Sequence, residues 1–348
     1  MQSGSNVIGT FVSQKISKIR WIEEQYVEGN SFLTGSWENA ENSIKLWTHK
    51  FSEDGTDTSP QEKAEILFPG DVTELLLLRN NSENFVASSS TGEVRQYRIS
   101  RRPDLPPKII EVLSWKSLHK WKFEPASCTA IDVYDGDIVS VGEDGRINLL
   151  TANQKDVICS IKDADSCTIT CVCFLKHNEI LTGNLRGQMR SWDVRCPQKD
   201  SNIESKFMKN GDQTGTTCIT HHPTQRHIVL AGHEDGAIAI WDLRLASYPV
   251  SILTAHQYTI NELKFHPDRP NKLLSCSYGG ELWHWDAERL GGGDGLGWVN
   301  SESSKQKLQV SVLISGLHKP INTIDINREK VVCGCDNEAV YLMNNVFA

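Results

Sequence analysis

The sequence predicts an all-β fold, a single seven-bladed β-propeller closed by an N-terminal strand. Three observations predict it: one phrase recurs at blade-sized spacing, a strand-like run precedes its copies, and 348 residues are more than one conventional core serves. The clearest copy of the phrase is Leu230-Ala-Gly-His-Glu-Asp-Gly-Ala-Ile-Ala-Ile-Trp241-Asp242. Asp235-Gly236 reads as a hairpin turn, because both residue types tolerate the positive φ that a two-residue turn requires. Ile238 and Ile240 then alternate with Ala237, Ala239 and Trp241, so both faces are apolar, as in a strand held between neighbouring sheets.

Setting the other copies on this register places strand-ending residues at Trp47, Tyr97, Leu150, Trp192, Trp241, Trp285 and Leu342. The gaps are 50, 53, 42, 49, 44 and 57 residues, which is the spacing of WD repeats with loop insertions, one four-stranded blade per repeat. Trp-Asp itself occurs at Trp192-Asp193, Trp241-Asp242 and Trp285-Asp286. Innermost strands are expected at Ile16 to Trp21, Val72 to Leu78, Cys128 to Val133, Thr168 to Leu175, Thr216 to Thr220, Ile260 to Phe265 and Ile321 to Ile326. Two are followed by His-Pro, at His222-Pro223 and His266-Pro267, where proline stops the ladder. Outer strands follow the phrases, as at Val157 to Ile161 and Val250 to Leu253. After Val331 to Met343 too little chain remains for a further strand, so residues 7–13 are expected to complete the last blade.

The whole of 1–348 is therefore expected to be one propeller, with flexible inter-blade insertions at 48–70, 100–126 and 287–309. The third contains Gly291-Gly-Gly-Asp-Gly-Leu-Gly297, whose glycines fit neither a dinucleotide nor a P-loop spacing. A turn acid, a loop His, a strand Ser or Thr and the Trp often form a hydrogen-bonded chain in such repeats. Asp144, Asp235 with Trp241, and His256 with Ser275 and Trp285 are candidates, alongside Trp47 and Trp192. Gly279 takes the place of the turn acid in blade six, so no blade is expected to hold a full set.

The balance of 39% hydrophobic and 23% charged residues is that of a soluble globular chain. No apolar run reaches the roughly 20 residues of a membrane span, and Met1 to Thr10 lacks a signal-peptide pattern. A net charge of −8 opposes general nucleic-acid binding. Residues 95–122 run the other way, with eight Lys/Arg against Asp104 and Glu111. Within them Arg101, Arg102, Trp115 and Trp121 are the candidate partner surface. The readings open for this stretch are a solvated loop, a patch for an acidic protein and a grip on single strands.

The ten cysteines read as reduced, mostly buried thiols; Cys171/Cys173 and Cys333/Cys335 share strand faces but lack zinc-ligand partners at a suitable spacing. His221-His222 points to opposite faces of a strand. No catalytic motif is present, and neither enzyme activity nor a cofactor or metal is expected. Trp192-Asp-Val-Arg195 and Trp241-Asp-Leu-Arg244 resemble the W-D-x-R box by which substrate receptors of cullin-type ubiquitin ligases engage their adaptor. Ligase receptor and channel-based histone or peptide reader are thus the competing readings.

Longer stretches carry a more specific likeness. Phe11-Val-Ser-Gln-Lys-Ile-Ser-Lys-Ile-Arg-Trp21, Thr34-Gly-Ser-Trp-Glu-Asn-Ala-Glu-Asn42 with Leu46-Trp47, Val141-Gly-Glu-Asp-Gly-Arg-Ile-Asn-Leu149, Leu282-Trp-His-Trp-Asp286 and Val332-Cys-Gly-Cys-Asp336 closely resemble the family of forty-three-kilodalton WD-repeat nucleoporins. The resemblance implies a scaffold subunit of the Y-shaped outer-ring complex of the nuclear pore, docked on a helical-solenoid nucleoporin. It also implies a place at the nuclear envelope, support of protein and mRNA transport, and a kinetochore role in mitosis. It carries over no catalytic or partner-binding residue.

Overall fold

The computed structural model describes residues 7–23, 30–50, 59–78, 82–102, 104–195, 203–208, 214–245, 248–287, 298 and 308–347. Its strands form seven four-stranded antiparallel sheets. Blade one runs β2 (Ile16–Trp21), β3 (Ser31–Ser36), β4 (Asn42–Thr48), β5 (Gln61–Phe68), and blade two β6 (Val72–Leu77), β7 (Asn84–Ser89), β8 (Val94–Arg102), β9 (Leu105–Trp115). Blade three is β10 (Cys128–Tyr134), β11 (Asp137–Gly142), β12 (Ile147–Thr151), β13 (Cys159–Ile161), and blade four β14 (Ile169–Lys176), β15 (Glu179–Asn184), β16 (Gln188–Asp193), β17 (Ile203–Met208). Blade five is β18 (Thr216–His221), β19 (Ile228–His233), β20 (Ala237–Asp242), β21 (Ser251–Thr254), and blade six β22 (Ile260–Phe265), β23 (Lys272–Ser277), β24 (Leu282–Asp286), β25 (Gln309–Ile314). Blade seven takes β26 (Ile321–Asn327), β27 (Lys330–Cys335) and β28 (Ala339–Met343) from the C-terminus, and β1 (Val7–Phe11) from the other end of the chain. Val7 pairs with Met343 and Phe11 with Ala339, which closes the ring as the sequence predicts.

The middle strands are buried on both faces, β20 throughout its length, because each lies between two other sheets. Apolar clusters therefore span blade boundaries; one joins Val12, Ile16, Trp21 and Phe32 to Val332, Val340 and Leu342 across the closure. The small residues of the recurring phrase have a steric cause. A Cβ on Gly35 would lie 2.5 Å from Val72, and one on Gly334 2.4 Å from Ile16, so glycine lets the next blade's innermost strand approach.

Every innermost strand carries a β-bulge one residue after its start, at Ser17, Thr73, Thr129, Thr170, Thr217, Asn261 and Asn322. A bulge turns the extra residue out of the ladder. Here the freed side chains tie the blades together: Thr73, Thr129, Thr170 and Thr217 donate to the carbonyls of Cys128, Ile169, Thr216 and Ile260 on the following blade. Asn261 and Asn322 continue the circle to Ile321 and Ile16, each at 2.9 Å. Only Ser17 departs, donating to Gly35 of its own blade.

Two of the insertions are not loops. β5 lies within 48–70, and β8 and β9 extend through 100–115 as a hairpin. Outermost strands face solvent, so their apolar alternation is weak, as in Gln61-Glu-Lys-Ala-Glu-Ile-Leu-Phe68. Pro106 and Pro107 are tolerated in β9 because it is an edge strand, where a missing N–H need not break a ladder. In the third insertion Trp298 is buried, donates to the Pro270 carbonyl at 3.1 Å and meets the Phe265 ring edge-on. The flexibility expected for 288–297 and 299–307 lies outside the described residues.

Candidate functional site

The inner wall of the ring is built from the residue that follows each bulge and the residue two further on, since alternate side chains of a strand share a face. On blade one these are Lys18 and Arg20, on blade two Glu74, on blade six Glu262 and Lys264, and on blade seven Thr323 and Asp325. Arg20 is buried and its guanidinium Nη2 lies 2.7 Å from both Glu74 Oε1 and Glu262 Oε1. Nη1 donates to the Ile19 carbonyl at 2.7 Å and to Thr323 Oγ1 at 3.1 Å. Lys18 pairs with Glu74 at 3.0 Å and Lys264 with Asp325 at 3.1 Å.

Burial opposes ionisation of Glu262, but Arg20 first, then Lys18 and Lys264, hold its carboxyl below the usual carboxylate range. The carboxylates also cap backbone donors of the next blade, Glu262 the Ile324 N–H at 2.8 Å and Asp325 the Trp21 N–H at 2.7 Å. This part of the channel is thus filled by side chains bonded to one another. Arg20, Glu74 and Glu262 belong to no motif that the sequence displays. Aligning the innermost strands on their bulges would have put Lys18, Glu74 and Glu262 at one position.

Blade six holds a complete hydrogen-bonded chain, contrary to expectation. Trp285 Nε1 donates to Ser275 Oγ at 2.8 Å, Ser275 Oγ lies 2.7 Å from His256 Nε2, and His256 Nδ1 lies 2.8 Å from Glu281 Oε2. The acid follows the Gly279-Gly280 turn rather than preceding its glycine, which is why Gly279 looked like a vacancy. A carboxylate facing Nδ1 fixes that nitrogen as the donor, so Ser275 gives its proton to Nε2 and accepts from the indole. Burial lowers the His256 pKa more than Glu281 raises it, keeping the ring neutral.

Asp144 builds the same start in blade three, 2.8 Å from His119 Nδ1, with Ser140 3.0 Å from Nε2, but Leu150 stands where the Trp would be. Trp47 and Trp192 instead donate to Thr34 at 2.9 Å and Thr182 at 2.8 Å. Trp241 packs against Phe207, and Asp235 caps the Ala237 N–H at 3.1 Å.

The His-Pro histidines do more than precede a breaker. His266 Nδ1 accepts from the Asp268 and Arg269 N–H groups at 3.1 Å, and Nε2 donates to the Arg328 carbonyl of blade seven at 3.0 Å. His222 Nδ1 accepts from Gln225 at 3.2 Å.

Each W-D-x-R arginine grips the Asp of its own phrase. Arg244 Nε and Nη2 lie 2.9 and 2.7 Å from the two Asp242 oxygens, and Arg195 holds Asp193 in the same way. That is a local structural use of the box.

The four residues expected as a partner surface are not brought together. Arg101 and Arg102 sit at the tip of the β8–β9 hairpin, where Arg102 pairs with Leu105, whereas Trp115 pairs with Val94 at the opposite end, about 25 Å away along the strands. Trp115 is buried and its Nε1 donates to the Gln154 carbonyl of blade three at 3.1 Å. Trp121 is exposed, on a turn of 120–125. Phe123 beside it, which no sequence pattern singles out, is 97% exposed.

Residues 205–242 and 247–286 match the family model described as WD domain, G-beta repeat. The chain is 33% identical to nucleoporin Nup43 of Homo sapiens over 98% of this chain and 99% of that protein. The Mus musculus Nup43 matches at the same identity and coverage. The nuclear pore complex protein nup43 of Dictyostelium discoideum is 24% identical over 83% of this chain and 86% of its own. A diphthine methyltransferase homolog of the same organism is 24% identical over 74% of this chain and 61% of its own length.

Proposed function

From the premise that this chain belongs to the Nup43 family of WD-repeat nucleoporins, we propose that it is a non-catalytic scaffold subunit of the nuclear pore. It takes its place in the Y-shaped outer-ring complex at the nuclear envelope, with a helical-solenoid nucleoporin as principal partner. Its support of protein and mRNA transport and a mitotic kinetochore role belong to the same reading. The observation that carries it is the match at 33% identity across nearly the full length of both chains. The methyltransferase homolog, matched over 61% of its length, fits less of the molecule.

The structure supports a rigid binding role in physical terms. A ring tied blade to blade by bulge side chains has its shape before any partner arrives, which lowers the ordering cost of association. Specificity then rests on loops and blade edges. A channel wall cross-braced by Arg20, Glu74 and Glu262 disfavours a peptide threaded there, and W-D-x-R arginines that hold their own Asp disfavour the ligase reading.

Affinity purification of the full chain from nuclear-envelope extract, read by mass spectrometry, tests the assignment. Recovery of outer-ring nucleoporins in defined stoichiometry is expected. Recovery of a cullin adaptor or of histones in their place overturns it.

A further inference from the structure

We infer that the turn of residues 120–125 is a docking knob that enters an acid-rimmed apolar groove on an α-helical protein partner. The inference rests on the scaffold reading above and names the surface that reading leaves open.

Phe123 is 97% exposed and Trp121 52% exposed, two neighbouring aromatics that their own blade does not cover. An isolated exposed apolar residue needs no explanation, but two aromatics on a rigid projection do. The projection is held from several sides. Lys120 bridges to Pro125, and the Trp121 N–H donates to the Glu124 carbonyl at 2.9 Å. Asp144 takes the Lys120 N–H at 2.9 Å, and that carboxylate is itself fixed by the fully buried His119. The Ala126 N–H returns to the His119 carbonyl at 3.2 Å, closing the base. Such preorganisation removes much of the ordering cost when the rings are buried in a partner.

Shape and charge identify the partner. A convex tip requires a concave acceptor, and the spaces between packed helices supply apolar grooves of that width. Lys116, Lys120 and Lys122 are all exposed around the tip, against Glu124 alone in the turn, so the rim of the acceptor must be acidic. A nucleic-acid strand fits less well. Arg95 is taken by Glu93 and Glu111 at 2.7 and 2.8 Å, and Arg101 and Arg102 lie at the far end of the hairpin, so no continuous basic track leads to the rings.

The test uses the full chain with Phe123 replaced by photoreactive benzoylphenylalanine, irradiated in nuclear-envelope extract, with crosslinked peptides sequenced. The expected product joins position 123 to a helical segment of a nucleoporin bordered by Asp and Glu. Trp121→Ser with Phe123→Ser, and separately Lys120→Glu with Lys122→Glu, should lower nucleoporin recovery about ten-fold or more at unchanged melting temperature. Arg101→Glu with Arg102→Glu should leave it unchanged. Full recovery by both double variants, or crosslinks to RNA or to a second copy of the chain, overturns the knob while the scaffold reading stands. Failure of the wild-type chain to recover any nucleoporin overturns the scaffold reading and the knob with it.

Discussion

Arg20 on the innermost strand of blade one reaches across blade seven to Glu262 of blade six, Nη2 to Oε1 at 2.7 Å, and the same nitrogen lies 2.7 Å from Glu74 of blade two. One buried cation thus braces the closure, where the two ends of the chain meet without a covalent link. Removing one partner of a buried ion pair leaves the others charged and unsolvated. Arg20→Met is expected to cost about 3–5 kcal/mol. Glu262→Gln added to it should restore part of that loss, because the sites are coupled. Urea unfolding of the single and double variants checks this; additive losses would show that the pair does not act as a unit.

The blade-six chain makes a comparison between blades possible. Ser275→Ala leaves both the Trp285 indole and His256 Nε2 without their shared hydroxyl, whereas Thr182→Ala in blade four strips one indole donor. At about 1–3 kcal/mol per buried polar group left unmatched, Ser275→Ala should cost the more of the two. Equal losses in chemical denaturation would mean that the His256–Glu281 arm adds nothing.

Buried histidines predict an acid limit. Burial first, then His221 and His227, push His222 down to about 4, and burial followed by Lys272 brings His284 to about 4. In the unfolded chain both titrate near about 6.5. Between those values the unfolded state binds more protons, so this stability is complete above about pH 6.5 and is lost as pH falls towards 4. Asp193, held at about 2 by its hydrogen bonds from Arg195, is lost only below that window. Melting temperatures should therefore be flat near neutrality and fall through mildly acidic pH, with a shallower slope in His222→Asn with His284→Gln. A double variant with the wild-type slope would remove these histidines as the cause.

Arg244→Ala separates the structural from the ligase use of W-D-x-R. Since Arg244 engages the buried Asp242 of its own phrase, the substitution should lower the melting temperature slightly and leave nucleoporin recovery unchanged. Recovery of a cullin adaptor by the wild type, lost in the variant, would reverse the ranking of the two readings.

Legibility in the sequence followed burial. β22 has the bounds that its alternation predicts, Ile260–Phe265, because an innermost strand is apolar on the face turned to the next blade and short enough for its ends to show. β5 and β9 were read as loops because solvent permits charge and proline at the outer edge. The acid of blade six was missed because Glu281 reaches His256 from beyond the turn, a contact set by the path of the chain rather than by the repeat register. The Arg20 cluster was invisible for a different reason. Its members stand 54 and 242 residues from Arg20, and each alone reads as a solvated charge. The four candidate partner residues are scattered by geometry: adjacency along the chain hid the fact that a hairpin carries Arg102 and Trp115 to opposite ends.

The closure itself gives the last prediction. β1 supplies the fourth strand of blade seven through pairs from Val7–Met343 to Phe11–Ala339, and the Val12 N–H donates to the Glu338 carbonyl at 2.8 Å. Val12 and Ile8 also pack in the cluster shared by blades one and seven, against Ile16, Trp21 and Leu342. Deleting residues 1–12 therefore removes a strand and also uncovers the edge of β28 and part of the core at the seam. Asn322 and Arg20 still join the blades on the channel side, at 2.9 Å to Ile16 and 3.1 Å to Thr323, so the truncated ring should fold. It should melt well below the full chain in a single transition, since the damaged cluster belongs to two blades at once. An uncovered edge strand is also a template for pairing, so the truncated protein should associate with rising concentration. Supplying residues 1–14 as a separate peptide should raise the melting temperature again and suppress association by refilling the edge. If the truncated chain melts with the full one and stays monomeric, β1 is not what closes the propeller.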